Sequence, residues 1–319
     1  MKDTTEKKVL IVGGVAYDHI MTYDKPFNNA LSMNPGEHLS VSFTAATKRF
    51  NFGGCGGNIA YTLKLLEIDG YIFSSAGRDF DEYKKWLEFN GIDTSGLRID
   101  ENVFCASCYI LTDVGQSQIT MFYPGAQGSF INDLNIHDLN LSEFGFAIVA
   151  PDHPKRMPIL GRQLMEGGIP YLFDPSQQIA SIEAKELYEL TKGARLLIVN
   201  QYEAGVISER IGISREELMD LVPSYVETHG EKGCLIREGG VTEHVSAIIP
   251  KQALDPTGCG DAFRSGVLMG LIRGYDLKKS CKIGALAATY NIEYYGTQNH
   301  KFGLQEFEKR YEESFGEKL

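Results

Sequence analysis

Asp255-Pro-Thr-Gly-Cys-Gly-Asp261 leads into a helical run at 264–273, and these residue types together could bind an anion and move a proton. Gly258 and Gly260 let the backbone approach a ligand closely, and the following helix points free amides and its positive dipole end at that spot. This is an anion hole without a lysine. Asp261, at the helix start, either takes a proton from an attacking hydroxyl or merely caps the helix. A second cluster, Gly53-Gly-Cys-Gly-Gly-Asn58, also opens a helix; it lays backbone against a ligand with Asn58 bonding a hydroxyl, or it is a hinge. Asn200-Gln-Tyr-Glu203 follows an apolar strand pattern, at the edge where open α/β sheets bind ligands. Glu203 there either holds a magnesium ion through water or is a carboxylate in the first turn of a helix. Thr228-His-Gly-Glu-Lys-Gly233 cradles phosphates or turns into a hairpin at 234–245, and Asp18 after the first strand accepts two adjacent hydroxyls or caps a turn. Cys105 and Cys108 sit in a strand pattern, where residues three apart face opposite ways and cannot share a metal. A Walker A sequence is absent, and Gly13-Gly14 lacks the third glycine of a dinucleotide fingerprint.

These residues need a scaffold, and the pattern of 319 residues supplies one. Short apolar runs at 9–15, 71–76, 144–150, 169–173, 194–199 and 225–228 read as strands buried on both faces. Helical patterns at 58–67, 81–90, 156–166, 181–191 and 214–222 lie between them, and consecutive helices at 261–273, 277–295 and 304–315 finish the chain. The alternation predicts a parallel sheet with helices on both faces. Two stretches at 36–52 and 103–124, rich in β-branched and aromatic residues, break it and are expected to pair into a small sheet that closes over the main body as a lid. The net charge of −11 leaves no footprint for nucleic acid or anionic lipid. Six cysteines are too few for a disulfide scaffold, the charged start is unlike a signal peptide, and no stretch approaches the ~20 apolar residues of a membrane helix. A cytoplasmic protein is expected.

In their order along the chain, Gly56-Gly-Asn58-Ile-Ala60, Asn200–Glu203, Thr228–Gly233 and Asp255–Asp261 resemble the ribokinase (PfkB) family of carbohydrate and nucleoside kinases over nearly the whole length. The stretches 52–66, 118–126 and 296–300 are most similar to the bacterial and archaeal adenosine and nucleoside kinases within it. The resemblance implies one domain over 1–319, a ribokinase-like three-layer αβα sandwich with a small β-sheet lid from about 16–52 and 103–124. It implies ATP-dependent transfer to the hydroxymethyl of a ribonucleoside, adenosine first, with a ribose- or fructose-type sugar kinase as the alternative and a non-catalytic nucleoside-binding protein behind both. Carried over by residue, Asp261 would be the base and the amides at Gly258, Cys259 and Gly260 the anion hole. Asn200 and Glu203 would order Mg2+ and its waters, and Thr228, Gly230 and Gly233 would line the ATP phosphates. Asp18, Gly54, Gly57 and Asn58 would grip the acceptor's ribose. ATP is the expected co-substrate, Mg2+ the expected ion, a monovalent cation an open addition, and a monomer or homodimer the expected state. Cys259 replaces the alanine of many relatives, and Asp174-Pro-Ser176 lacks the asparagine and arginine that some sugar kinases carry nearby.

Overall fold

The computed structural model describes residues 7–29, 41–115 and 117–319. Lys8–Val12 shows how the sequence builds the centre: Val9 and Ile11 enter one apolar core while Leu10 and Val12 enter the other, all four fully buried. A strand with both faces covered has no polar alternation, which is why it reads as a continuous apolar run. Leu196–Asn200 repeats the arrangement, Ile198 on one side and Leu197 and Val199 on the other. Helices Cys55–Leu65, Cys259–Ile272 and Leu277–Ile292 cover the first face; Arg156–Glu166, Ala184–Gly193 and Gln201–Ile211 cover the second.

The main sheet has eight strands, in the order Val241–Val245, Cys234–Glu238, Ser224–Thr228, Leu196–Asn200, Tyr171–Phe173, Phe144–Val149, Lys8–Val12 and Gly70–Ile72. Six run parallel, and the hairpin Cys234–Glu238/Val241–Val245 adds an antiparallel edge, so the sheet is mixed rather than all parallel as expected. The first strand lies between Gly70–Ile72 and Phe144–Val149, so the chain winds first to one side and then to the other. Crevices at such a reversal are where open sheets take ligands.

A second sheet of four strands, ordered Thr47–Gly53, Ala16–Thr22, Ala106–Thr112 and Gln118–Tyr123, stands beside this edge. Asp113 ties its turn down by accepting from the amides of Phe27, Gly115 and Ser117 at 2.8–2.9 Å. Of the stretch 36–52, residues 36–40 lie outside the described residues, and strand begins only at Thr47. Its partner Ala16–Thr22 directly continues the first strand of the main sheet. The run at 71–76 also splits: Gly70–Ile72 joins the main sheet, and Ser74–Gly77 pairs separately with Leu97–Asp100. Helix Gln201–Ile211 is not among the expected helical patterns, although one reading of Glu203 makes it a first-turn carboxylate; Gly205 and the β-branched Val206, Ile207 and Ile211 weaken its pattern. No described helix is long and apolar enough to cross a membrane.

Candidate active site

Asn200 and Thr228 end two strands of the main sheet, Asp18 lies in the four-stranded sheet, and Asn58 and Asp261 meet at the starts of two helices. Helix Cys259–Ile272 begins after Gly258, whose φ of 79° lies in the left-handed region, and no side chain caps its first amides. Glycine is needed there twice over, because a Cβ would stand 2.8 Å from Thr297 Cγ2. Cys259 N turns back to Pro256 O at 3.2 Å, and Thr257 N donates to Asp255 Oδ1 at 3.0 Å, so the loop is folded before any ligand arrives. Asn291, fully buried, braces it from the neighbouring helix by donating to Thr257 O at 2.7 Å.

Asp261 lies partly exposed in the first turn of that helix and does not cap it. Its Oδ2 accepts a 2.8 Å hydrogen bond from Asn58 Nδ2. A chain of bonds fixes which way Asn58 faces. The Trp86 indole can only donate, and it donates to Gln298 Oε1 at 3.0 Å. Gln298 must therefore present Nε2, which donates to Asn58 Oδ1 at 3.0 Å and to the Tyr83 hydroxyl at 2.5 Å. Asn58 is left with its amide nitrogen on Asp261, and the Tyr83 hydroxyl donates in turn to Gly53 O at 2.8 Å. Burial pushes the Asp261 carboxyl above the usual range, while Asn58, Arg264 and Cys55 pull it back.

Asp18 points from the accessory sheet towards the same place, against Gly53, where any side chain would collide with its carboxylate. Burial raises it to about 7, and the charges of Asp261 and Asp255 add to the effect. The early glycines mostly serve packing. A Cβ on Gly54, with φ 82°, would stand 2.6 Å from Ala16 N and Gly14 O, and one on Gly57 would strike the Tyr83 hydroxyl. The close approach made possible at both positions is to the protein's own atoms, and helix Cys55–Leu65 starts three residues earlier than expected because of it.

Asn200 and Glu203 form a reciprocal capping box: Asn200 Oδ1 accepts from Glu203 N and Glu203 Oε2 from Asn200 N, both at 2.8 Å. Thr228 ends the adjacent strand, its hydroxyl 3.5 Å from Val199 O. Gly230, at φ 59°, faces open space, whereas Gly233, at φ 93°, is packed against the backbone of 245–247. Among the described residues no group of three or more His, Cys, Asp or Glu side chains is placed to hold a metal. Gln298, Tyr83, Asn291 and Arg264 are site residues that the sequence reading passed over. Only Arg264 left a signal, as a lone charge within Ala262–Ile272, an otherwise apolar helical stretch.

Residues 6–301 match the pfkB family of carbohydrate kinases, and the chain belongs to that family. It is a phosphotransferase with an alcohol acceptor, built on the ribokinase-like fold. A nucleoside kinase of Burkholderia thailandensis, solved with inosine, is 32% identical, with a TM-score of 0.89 over 98% of this chain and 100% of that one. The same enzyme in complex with ADP and inosine superposes with a TM-score of 0.84 over 97% of each chain, at 32% identity. A nucleoside kinase of Methanocaldococcus jannaschii is 27% identical over 92% of this chain and 93% of its own.

Proposed function

We propose that this protein transfers the γ-phosphate of ATP to the 5′-hydroxymethyl of a ribonucleoside, with adenosine as the first acceptor to test. The carrying observation is the placement of Asp261. Its carboxyl is oriented by Asn58 and set beside the uncapped amides of helix Cys259–Ile272, so that a base and an anion site share one spot. An alcohol is a poor acid, so Asp261 takes its proton only as the bond to phosphorus forms. Burial helps by raising the basicity of the carboxylate. The amides of Gly258 and Gly260 receive the charge that builds on the transferred phosphoryl group, joined by that of Cys259 once it turns from Pro256 O.

Asp18 would grip the vicinal ribose hydroxyls, with Asn58 and the backbone of Gly54 and Gly57 closing the acceptor site. Thr228, Gly230 and Gly233 would line the donor phosphates. Magnesium commonly binds through one or two carboxylates plus substrate phosphates and water, and Glu203, one of whose oxygens is engaged by the Asn200 amide, fits that mode, with no protein cage among the described residues. Glu203 and Asn200 would hold such an ion through water, and it would neutralise phosphate charge. The four-stranded sheet would close as a lid and keep out water, which otherwise competes as acceptor.

A coupled assay of ADP release across adenosine, inosine, guanosine, cytidine, ribose and fructose tests this reading. Turnover with a nucleoside well above turnover with either sugar supports it. Turnover confined to the sugars, or absent throughout, refutes it.

A further inference from the structure

Arg264 lies in the first turns of helix Cys259–Ile272 and is only 6% exposed. A buried guanidinium is costly unless it is paired. Asp174, fully buried at the end of strand Tyr171–Phe173, supplies the partner: Arg264 Nη2 donates to Asp174 Oδ1 at 2.7 Å, and Nε stands 2.5 Å from Oδ2. The second contact is an ion pair without hydrogen-bond alignment, so Nε has no hydrogen-bond partner among the described residues. Asp174 thus occupies one edge of the fork. The free nitrogen, Nη1, reaches back along the helix to lie against Gly260, 2.5 Å from where a Cβ on that residue would stand.

This direction follows from helix geometry. A long side chain on a helix leans towards the N-terminus and covers the residue four positions earlier. Four positions before Arg264 is Gly260, one of the anion-hole residues, and glycine there leaves room for the guanidinium. Burial works against the charge of Arg264, but Asp174, Asp261 and Glu203 together outweigh it and hold the group protonated. A structural pair would need nothing more than Asp174. Placing the spare donor under the anion hole, within the field of three carboxylates, is unexplained by packing.

We infer that Arg264 is the cation of the anion hole, its Nη1 edge contacting the terminal phosphate of the donor while Asp174 holds the opposite edge in place. Arg264 then supplies the charge that a lysine supplies in other phosphate loops, and Asp174 is its positioning residue. Guanidinium geometry suits both tasks at once, because its donors form a rigid, planar fork.

The inference rests on the kinase reading, and the test separates the two. Binding of ATP and of ADP is measured by calorimetry, alongside kcat and thermal stability, for the wild type, Arg264→Gln and Asp174→Asn/Arg264→Gln. The double variant removes both buried charges, so it does not leave an unpaired carboxylate to unfold the chain. The expected result is a double variant of near wild-type stability that binds ATP no better than ADP, keeps its ADP affinity and loses about 10²-fold or more in kcat. A double variant with wild-type preference for ATP and wild-type turnover overturns the inference and makes the pair purely structural. A wild type that binds neither nucleotide overturns the kinase reading itself.

Discussion

Asn58→Ala isolates the bond that orients the proposed base. Asn58 Nδ2 donates to Asp261 Oδ2 at 2.8 Å, and that bond favours the ionised carboxylate. A hydrogen bond to a charged group contributes about 1.5–3 kcal/mol, or about 10- to 100-fold in the balance between ionised and protonated forms. The sign is fixed by the direction of the effect: burial already raises the Asp261 carboxyl, and losing Asn58 raises it further. The variant should therefore lose activity most severely at acid pH and recover much of it in alkali. The assay is kcat against pH at saturating ATP and nucleoside, since kcat reports groups in the substrate complex. Thermal melts of the same samples check that Gln298, which loses one of the two acceptors of its Nε2 and keeps only the Tyr83 hydroxyl, does not simply loosen the fold. A loss of equal size at every pH would refute the claim that Asn58 tunes Asp261, and would leave it a residue of substrate binding alone.

Asp18→Ala should lower kcat/KM for adenosine and narrow its lead over 2′-deoxyadenosine, because an acceptor built for two hydroxyls rejects the analogue lacking one; an unchanged preference would make Asp18 structural. Since burial raises Asp18 to about 7, and its ionised form is the better acceptor, nucleoside KM in the wild type should fall as pH rises through that value and become flat in the variant. Hydrogen exchange in strand Gln118–Tyr123, exposed along its whole length, should slow when nucleoside binds if the accessory sheet closes as a lid; exchange indifferent to nucleoside would argue against closure.

Much of the scaffold was legible because burial on both faces leaves a plain mark. Val9, Leu10, Ile11 and Val12 are all apolar because each faces one of two cores, and no loop would keep such a run. The helix that follows Gly258 was visible from its glycines, although it begins at Cys259, two residues before the expected Asp261. Long-range pairing was not. Nothing near Asn58 in sequence announces Gln298, 240 residues away, or the Trp86 indole that fixes the orientation of both amides. Asp174 and Arg264 meet across 90 residues; the lone charge of Arg264 in an apolar helical stretch is visible, but its partner is not. Gly57 is ambiguous for a different reason: glycine signals close approach, but sequence does not say to what, and the neighbour on its Cα side is the Tyr83 hydroxyl.

Asp261→Asn tests the central claim most directly. Asparagine keeps the shape and a hydrogen-bonding oxygen for Asn58, but it cannot take a proton. The measurement is the single-turnover rate of 5′-phosphorylation of adenosine, taken together with the affinities for ATP and adenosine. Affinities near those of the wild type with a rate lower by about 10²-fold or more are expected when a general base is lost. A rate near that of the wild type would contradict the assignment of Asp261 as the base.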